Sequence, residues 1–308
     1  MYEQFFGLHE QPFRLTPDTS YFYGFGDHQE ALNTLLVALD MGEGFIKVTG
    51  EVGTGKTLLC RKLLNELSDK SDYVTAYIPN PSITPTALKY SLADELGIDY
   101  PRNIGQHRIM KLINEKLVEI KLLNRKAILI IDEAQALPED CLEAVRLLTN
   151  LETEKSKLLH VVLFGQPELD VHLEKTAVRQ LKQRITFTHR LTPLVDSVVC
   201  DYLAHRLQVA GYNGPAVFDE KVCQKIYKVS GGVPRLVNIL AHKCLLLAYG
   251  EGTSKVTRKH LKKAVADTES IAADPHPRRR FWFGMLGMTA STATLAGAGF
   301  YLLTGVQL

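Results

Sequence analysis

Net charge is almost absent from this 308-residue sequence: 36 lysines and arginines stand against 34 aspartates and glutamates, a formal balance of +2. The balance neither requires nor excludes a polyanionic partner, because local clustering decides that. Cysteine is scarce, with five scattered residues and no CxxC pair, so buried free thiols in a reducing cytosol are expected. The ten histidines form no HExxH or other ligand spacing and no GxSxG occurs, leaving metalloenzyme and triad chemistry without support. No internal repeat appears. The opening MYEQFFGLHEQPF lacks a basic leader followed by an apolar run, so a signal peptide is not expected and the chain is read as starting in the cytoplasm. Charged residues at 23% and hydrophobic residues at 45% exclude a disordered chain.

What is present is an alternation. FIKVTG (45–50), YVTAYI (73–78), AILIID (127–132), LLHVVLFG (158–165) and ITFTHR (185–190) read as strands, with amphipathic stretches such as TPTALKYSLADELG and IMKLINEKLVEIKLL between them. That pattern predicts an α/β core, a parallel five-stranded sheet wrapped by helices, over residues 1–192. From Pro193 to about Glu269 the pattern turns purely helical. VVCDYLAHRLQVAG stops at Gly211, and VPRLVNILAHKCLLLAYG has Pro234 at its start and Gly250 at its end. A small all-α domain is expected over 193–269, then a linker with a basic flank at 270–280.

The chemistry concentrates in three places. GEVGTGKT (50–57) matches GxxxxGK[ST], with a strand running in and the helix pattern TLLCRKLLNEL running out. Such a loop turns several backbone N–H groups onto one phosphate at a helix N-terminus. The expected phosphate-binding set is Gly50, Glu51, Val52, Gly53, Thr54, Gly55, Lys56, Thr57 and Leu58. Lys56 would reach the outer phosphates and Thr57 would ligate Mg²⁺. AILIIDEAQAL ends a buried strand in Asp132-Glu133, an aspartate for the metal shell followed by a glutamate able to activate water. Together these motifs predict nucleoside triphosphate hydrolysis. Gln166 follows the next strand, placed to meet the attacking water or the γ-phosphate. Arg179 and Arg184 lie in RQLKQRI, where a finger reaching a neighbouring subunit's nucleotide is expected, with Arg184 favoured. GGVPRLVN puts Arg235 in the first turn of a helix. That placement opposes the helix dipole unless the arginine faces a phosphate across a cleft.

In this order the motifs GEVGTGKT, LIIDE, FGQPEL, RQLKQRI and GGVPR resemble the P-loop AAA+ ATPases. FFGLHEQPFRLTPDTSYFYGFGDHQEAL resembles the opening of the general secretion pathway protein A (ExeA-like) family, over essentially residues 1–270 and nearest in length and layout to its MSHA pilus biogenesis members. The resemblance implies ATP as the nucleotide, binding between the α/β domain and a helical lid. It also implies Leu15, Pro17, Tyr23 and His28 as base-site candidates. Finger logic implies a homo-oligomer, and a ring is expected.

The last 28 residues carry no charge, and Arg278, Arg279 and Arg280 precede them. A helix needs about 20 apolar residues to cross a bilayer core, and the run from Phe281 to Leu303 supplies 23. Phe281, Trp282 and Tyr301 sit where interfacial aromatics belong, and the arginines keep their flank in the cytoplasm. A C-terminal transmembrane helix over 281–303 is expected, with the ATPase domain on the cytoplasmic side of a bacterial inner membrane. The larger secretion ATPases of the family continue into a peptidoglycan-binding portion, whereas this sequence stops soon after the run. The expected partners are another copy of the chain, an inner-membrane pilus or secretion assembly protein, and membrane lipid, which KVTRKHLKK (255–263) would face. Nucleic acid is not expected as a partner, since no helix-turn-helix-like segment stands apart. The rival is a DNA-binding ATPase of the transposition-helper type, with KVTRKHLKK on phosphates.

Overall fold

The computed structural model describes residues 2–24, 26–152 and 156–268. Among the described residues, those up to Leu261 form one compact unit. The expected linker and membrane-spanning helix, 270–280 and 281–303, lie outside the described residues. Among the described residues no helix is long and apolar enough to cross a membrane.

Five parallel strands form the sheet, in the order β2-β3-β4-β1-β5. They are β1 (Phe45–Gly50), β2 (Tyr73–Ile78), β3 (Lys126–Ile131), β4 (Leu159–Gly165) and β5 (Phe187–Leu191). Every residue of β1 and β4 is buried, as inner strands covered on both faces must be. Strand alternation divides the core: Ala127, Leu129 and Ile131 join one hydrophobic cluster, while Ile128 and Ile130 join the other. α1 (Tyr2–Phe6) opens the chain. α2 (Asp27–Asp40) and α3 (Lys56–Ser68) cover the second cluster. α4 (Pro85–Glu95), α5 (Gln106–Leu122), α6 (Glu139–Leu148), α7 (Glu168–Glu174) and α8 (Arg179–Lys182) cover the first.

Three strands differ from expectation in their limits: β4 starts at Leu159 rather than residue 158, and β3 and β5 differ at both ends. β5 starts at Phe187 rather than residue 185, because the backbone N–H of Ile185 is still bonded to Lys182 at the end of α8. β3 begins at Lys126, paired with Tyr73, and ends at Ile131, with the Asp132 N–H still donating to the Ile78 carbonyl at 3.0 Å. Asp132 therefore stands at the carboxyl edge of the sheet, where open α/β sheets bind ligands.

After β5 the chain is helical: α9 (Asp196–Val209), α10 (Glu220–Ser230), α11 (Pro234–Gly250) and α12 (Arg258–Ala266). Asp219 caps α10 by accepting the Val222 N–H at 2.7 Å. The expectation of five free thiols is corrected here. Cys200 on α9 and Cys223 on α10 form a disulfide, their Cα atoms 5.4 Å apart. The packing of two helices brings them together, and a spacing of 23 residues gives no sign of it. Cys60, Cys141 and Cys244 are free and buried, as expected. Reducing the disulfide is predicted to lower the stability of the helical region by about 2–4 kcal/mol. Comparing thermal unfolding with and without reductant, and in Cys200→Ser, checks this.

Candidate functional site

The loop between β1 and α3 is shaped by glycine where side chains do not fit. Gly53 has φ +84°, and a Cβ there would lie 2.8 Å from Arg235 Cβ. Gly55 has φ +98°, and a Cβ there would lie 2.9 Å from His28 Nε2. Both positions therefore need a residue without a Cβ and with access to the left-handed region. α3 starts at Lys56, so the loop delivers its N–H groups and a helix N-terminus to one spot. The Lys56 Nζ donates to the carbonyls of Gly50 at 2.8 Å and Glu51 at 3.0 Å. Burial pushes its ammonium below the usual lysine range, while the charges of Glu133, Asp132, Glu51 and Glu168 oppose that fall. A cation so desolvated gains strongly from a phosphate brought against it.

Asp132 is buried at the end of β3. Its Oδ1 accepts the Glu133 N–H at 2.9 Å, and the Thr57 side chain hydrogen-bonds the same carboxylate. Burial raises the Asp132 carboxyl above its ordinary value, a penalty that a nearby cation would relieve. Hydroxyl and carboxylate side by side are the hard oxygen donors Mg²⁺ takes, usually beside water and substrate phosphate. The residues therefore fit the ion. Among the described residues no group of three or more His, Cys, Asp and Glu could hold a metal. Phosphate oxygens and water would complete the shell.

Glu133 follows in a left-handed conformation, φ 52° and ψ 38°, uncommon for a residue with a side chain. Its Oε2 accepts the Gln135 amide at 2.5 Å and the Gln166 amide at 3.2 Å. Gln135 Oε1 in turn accepts the Gln166 backbone N–H at 2.9 Å. One carboxylate thus faces two amide side chains from adjacent strand ends, an arrangement suited to orienting a water. Gln135, inside AQAL, matched no motif and was missed.

A cavity of about 330 Å³ lies between the loop and the helical region. Val52, Gly53, Gly55, Lys56, Thr57, Leu58, Glu133, Gln166 and Arg235 all line it. Gly50, Glu51 and Thr54 shape the loop from behind, and Asp132 reaches the site through Thr57. Arg235 enters from the first turn of α11, its backbone N–H donating to the Gly53 carbonyl at 3.2 Å. Arg184 is not in this cavity: its guanidinium lies 3.5 Å from Thr149 Oγ1, and Arg179 is exposed.

The base-site candidates divide. Leu15 and Pro17 line the cavity, together with Arg14, Tyr202, Arg206 and Asn238, which the sequence did not single out. Tyr23 does not; its ring packs edge-on against Tyr202 and His205, with centroids 5.8 and 5.3 Å away. His28 supports the loop from below, its Nε2 2.6 Å from the Thr54 carbonyl. Burial lowers its pKa, so the ring is neutral near pH 7 and donates to that carbonyl. Beside it, Asp27 accepts the N–H and hydroxyl of Thr192 at 2.6 and 2.9 Å and binds His189 at 2.9 Å. The first turn of α2 therefore joins the phosphate-loop motif to the exit of β5.

Arg235→Ala removes one cation from the cleft while leaving Lys56 in place. It is expected to weaken MgATP binding about tenfold or more, the worth of a charged hydrogen bond. Equilibrium binding of a fluorescent ATP analogue reads the change.

Residues 39–173 match the family model described as an AAA domain. The chain is 41% identical over 271 residues to the general secretion pathway protein A of Aeromonas hydrophila, a match covering 88% of this chain and 49% of that protein. The chain thus spans about half the length of that curated relative. Two solved structures share the fold. Cdc6p of Pyrobaculum aerophilum aligns at TM-score 0.63 and 20% identity, over 81% of this chain and 70% of that one. The ORC1 protein of Aeropyrum pernix in complex with DNA aligns at 0.60 and 21%, over 84% and 69%.

Proposed function

We propose that this chain is an ATPase of the AAA+ P-loop type and a membrane-anchored motor whose hydrolysis of ATP drives assembly of a type IV pilus, MSHA-like, or of type II secretion machinery. The identity over 271 residues to a general secretion pathway protein A carries the assembly setting. The uncharged run 281–303 behind Arg278–Arg280 supports the anchor in a bacterial inner membrane, with the ATPase on the cytoplasmic side.

Lys56 and the loop N–H groups hold the β- and γ-phosphates, and Arg235 meets them from the helical side. Thr57 and Asp132 would hold Mg²⁺, which would neutralise charge on the phosphates. Glu133 takes a proton from the attacking water, and Gln166 keeps that water and the carboxylate in register. Arg184, outside its own subunit's cavity, serves a neighbour's nucleotide in a ring of identical chains. Because Arg235 stands on α11 and its guanidinium meets the γ-phosphate from the helical side, loss of that phosphate releases the helical region and moves what is attached to it.

Fractionation tests the setting. The full chain and a form stopped after His276 are compared for carbonate-resistant membrane association and for ATPase activity with and without double-stranded DNA. Membrane retention of the full chain alone, with no response to DNA, is expected. Solubility of both forms with DNA-accelerated turnover would replace the motor by a DNA-dependent ATPase.

A further inference from the structure

At the end of the cleft away from the phosphate loop stands a relay of side chains that no motif explains. Arg206 on α9 is a buried cation, 5% exposed, whose donors are engaged on three sides. Its Nε donates to the Pro12 carbonyl at 2.6 Å, Nη2 to the Arg14 carbonyl at 3.4 Å, and Nη1 to the Tyr202 hydroxyl at 3.3 Å. The guanidinium also lies 4.6 Å from the centre of the Tyr21 ring, a stacking contact that further fixes it. One residue thus ties the N-terminal strap, which carries Leu15 and Pro17 into the cleft, to the helical region.

The relay continues from Tyr202 to Asn238 on α11, whose Oδ1 is 3.0 Å from the tyrosine hydroxyl. A guanidinium has only donors, so the tyrosine oxygen must accept from Arg206 and its proton must go to Asn238. That requirement fixes the amide, with Oδ1 toward Tyr202 and Nδ2 turned away. Asn238 is 6% exposed, and the surface it keeps lines the cleft. Among the described residues His205 Nδ1 is the sole side-chain polar atom sealed from solvent without a partner. Nδ2 of Asn238 is therefore not sealed, and Asn238 is one of the residues that line the cavity. Asn238 stands three residues beyond Arg235 on α11, about 4.5 Å further along the axis from the phosphate-facing end. Leu15 and Pro17 line the same cavity and supply the apolar surface a flat ring needs.

We infer that Asn238 is a nucleoside-recognition residue, donating an amide hydrogen bond to the base or ribose of the bound nucleotide, with Tyr202 and Arg206 as positioning residues that hold the amide in its donating orientation. The inference rests on the cleft being the nucleotide site proposed above. It separates two jobs within one cavity: Lys56 and Arg235 read the phosphates, and Asn238 reads what the phosphates are attached to.

Asn238→Asp provides the test, because aspartate has the same shape, still accepts from Tyr202, and cannot donate. The full chain is titrated by calorimetry with MgATP and, separately, with magnesium tripolyphosphate. The added charge weakens both ligands alike, whereas the lost donor weakens ATP alone. ATP affinity is expected to fall about tenfold more than tripolyphosphate affinity. Tyr202→Phe keeps the ring and removes the proton that orients the amide, so a smaller ATP-selective loss of roughly threefold is expected, independent of whether the first variant folds. Equal losses on both ligands, or none, in the variants would overturn the role of Asn238. Wild-type protein that binds tripolyphosphate as tightly as ATP would overturn it too, while leaving the phosphate site standing. Wild-type protein that binds neither would instead overturn the nucleotide-site reading beneath it.

Discussion

Glu133→Gln is expected to lower steady-state ATP turnover by about a hundredfold or more, the usual worth of a positioned general base, while ATP binding is retained. The geometry explains why binding survives. Glu133 does not hold the loop: its carboxylate faces the amides of Gln135 and Gln166, and the phosphates are left to Lys56 and the loop N–H groups. Glutamine keeps the shape of the glutamate and loses only the ability to accept a proton. The variant should therefore accumulate ATP-bound chains, visible as nucleotide that co-elutes with the protein and remains triphosphate. Turnover equal to wild type would remove Glu133 from the reaction. Gln166→Ala shares the cluster without the proton transfer, so a smaller loss with a similar Kd is expected from the same assay.

Arg184→Ala is expected to cost more still, on the order of a thousandfold in turnover, as loss of an arginine finger does elsewhere. The Arg184 guanidinium donates to Thr149 Oγ1, at 3.5 Å, and Arg184 does not line the nucleotide cavity. Its loss should therefore leave ATP binding intact and act only in the assembled state. Mixing Arg184→Ala with Lys56→Ala distinguishes this from a local folding defect. The first chain supplies a working phosphate loop and the second an intact arginine, so mixed oligomers should regain activity that neither variant has alone. Absence of any regain, with mixed oligomers demonstrated by pull-down, would place Arg184 outside the site.

Much of this arrangement is legible in the residues. β1 and β2 occupy the expected spans because six-residue runs rich in apolar and β-branched residues meet glycine, aspartate or proline at their ends. The phosphate loop announces itself because only glycine tolerates the backbone at 53 and 55. Asp132 and Glu133 stand out because charge directly after a buried strand is costly unless it is used. Side chains whose role depends on tertiary approach left no such trace. Gln135 and Gln166 meet one carboxylate across 31 residues, and no periodicity encodes that meeting. Arg206 reads as one more basic residue on an amphipathic helix, yet it is buried against carbonyls nearly 200 positions earlier. Tyr23 and His28 precede the loop where base contacts are expected, but packing turns one toward α9 and puts the other beneath Thr54. Cys200 and Cys223 failed as a prediction for the same reason, since helix packing alone brings them together.

The most direct measurement is phosphate release from ATP by the full chain in mild detergent, set beside Lys56→Ala prepared in parallel. The account predicts saturable, magnesium-dependent turnover in the wild type, its loss on chelation, and no turnover above background in the variant. Equal rates in the two proteins would contradict it, because the cleft built around Lys56, Asp132 and Glu133 would then not be where ATP is hydrolysed.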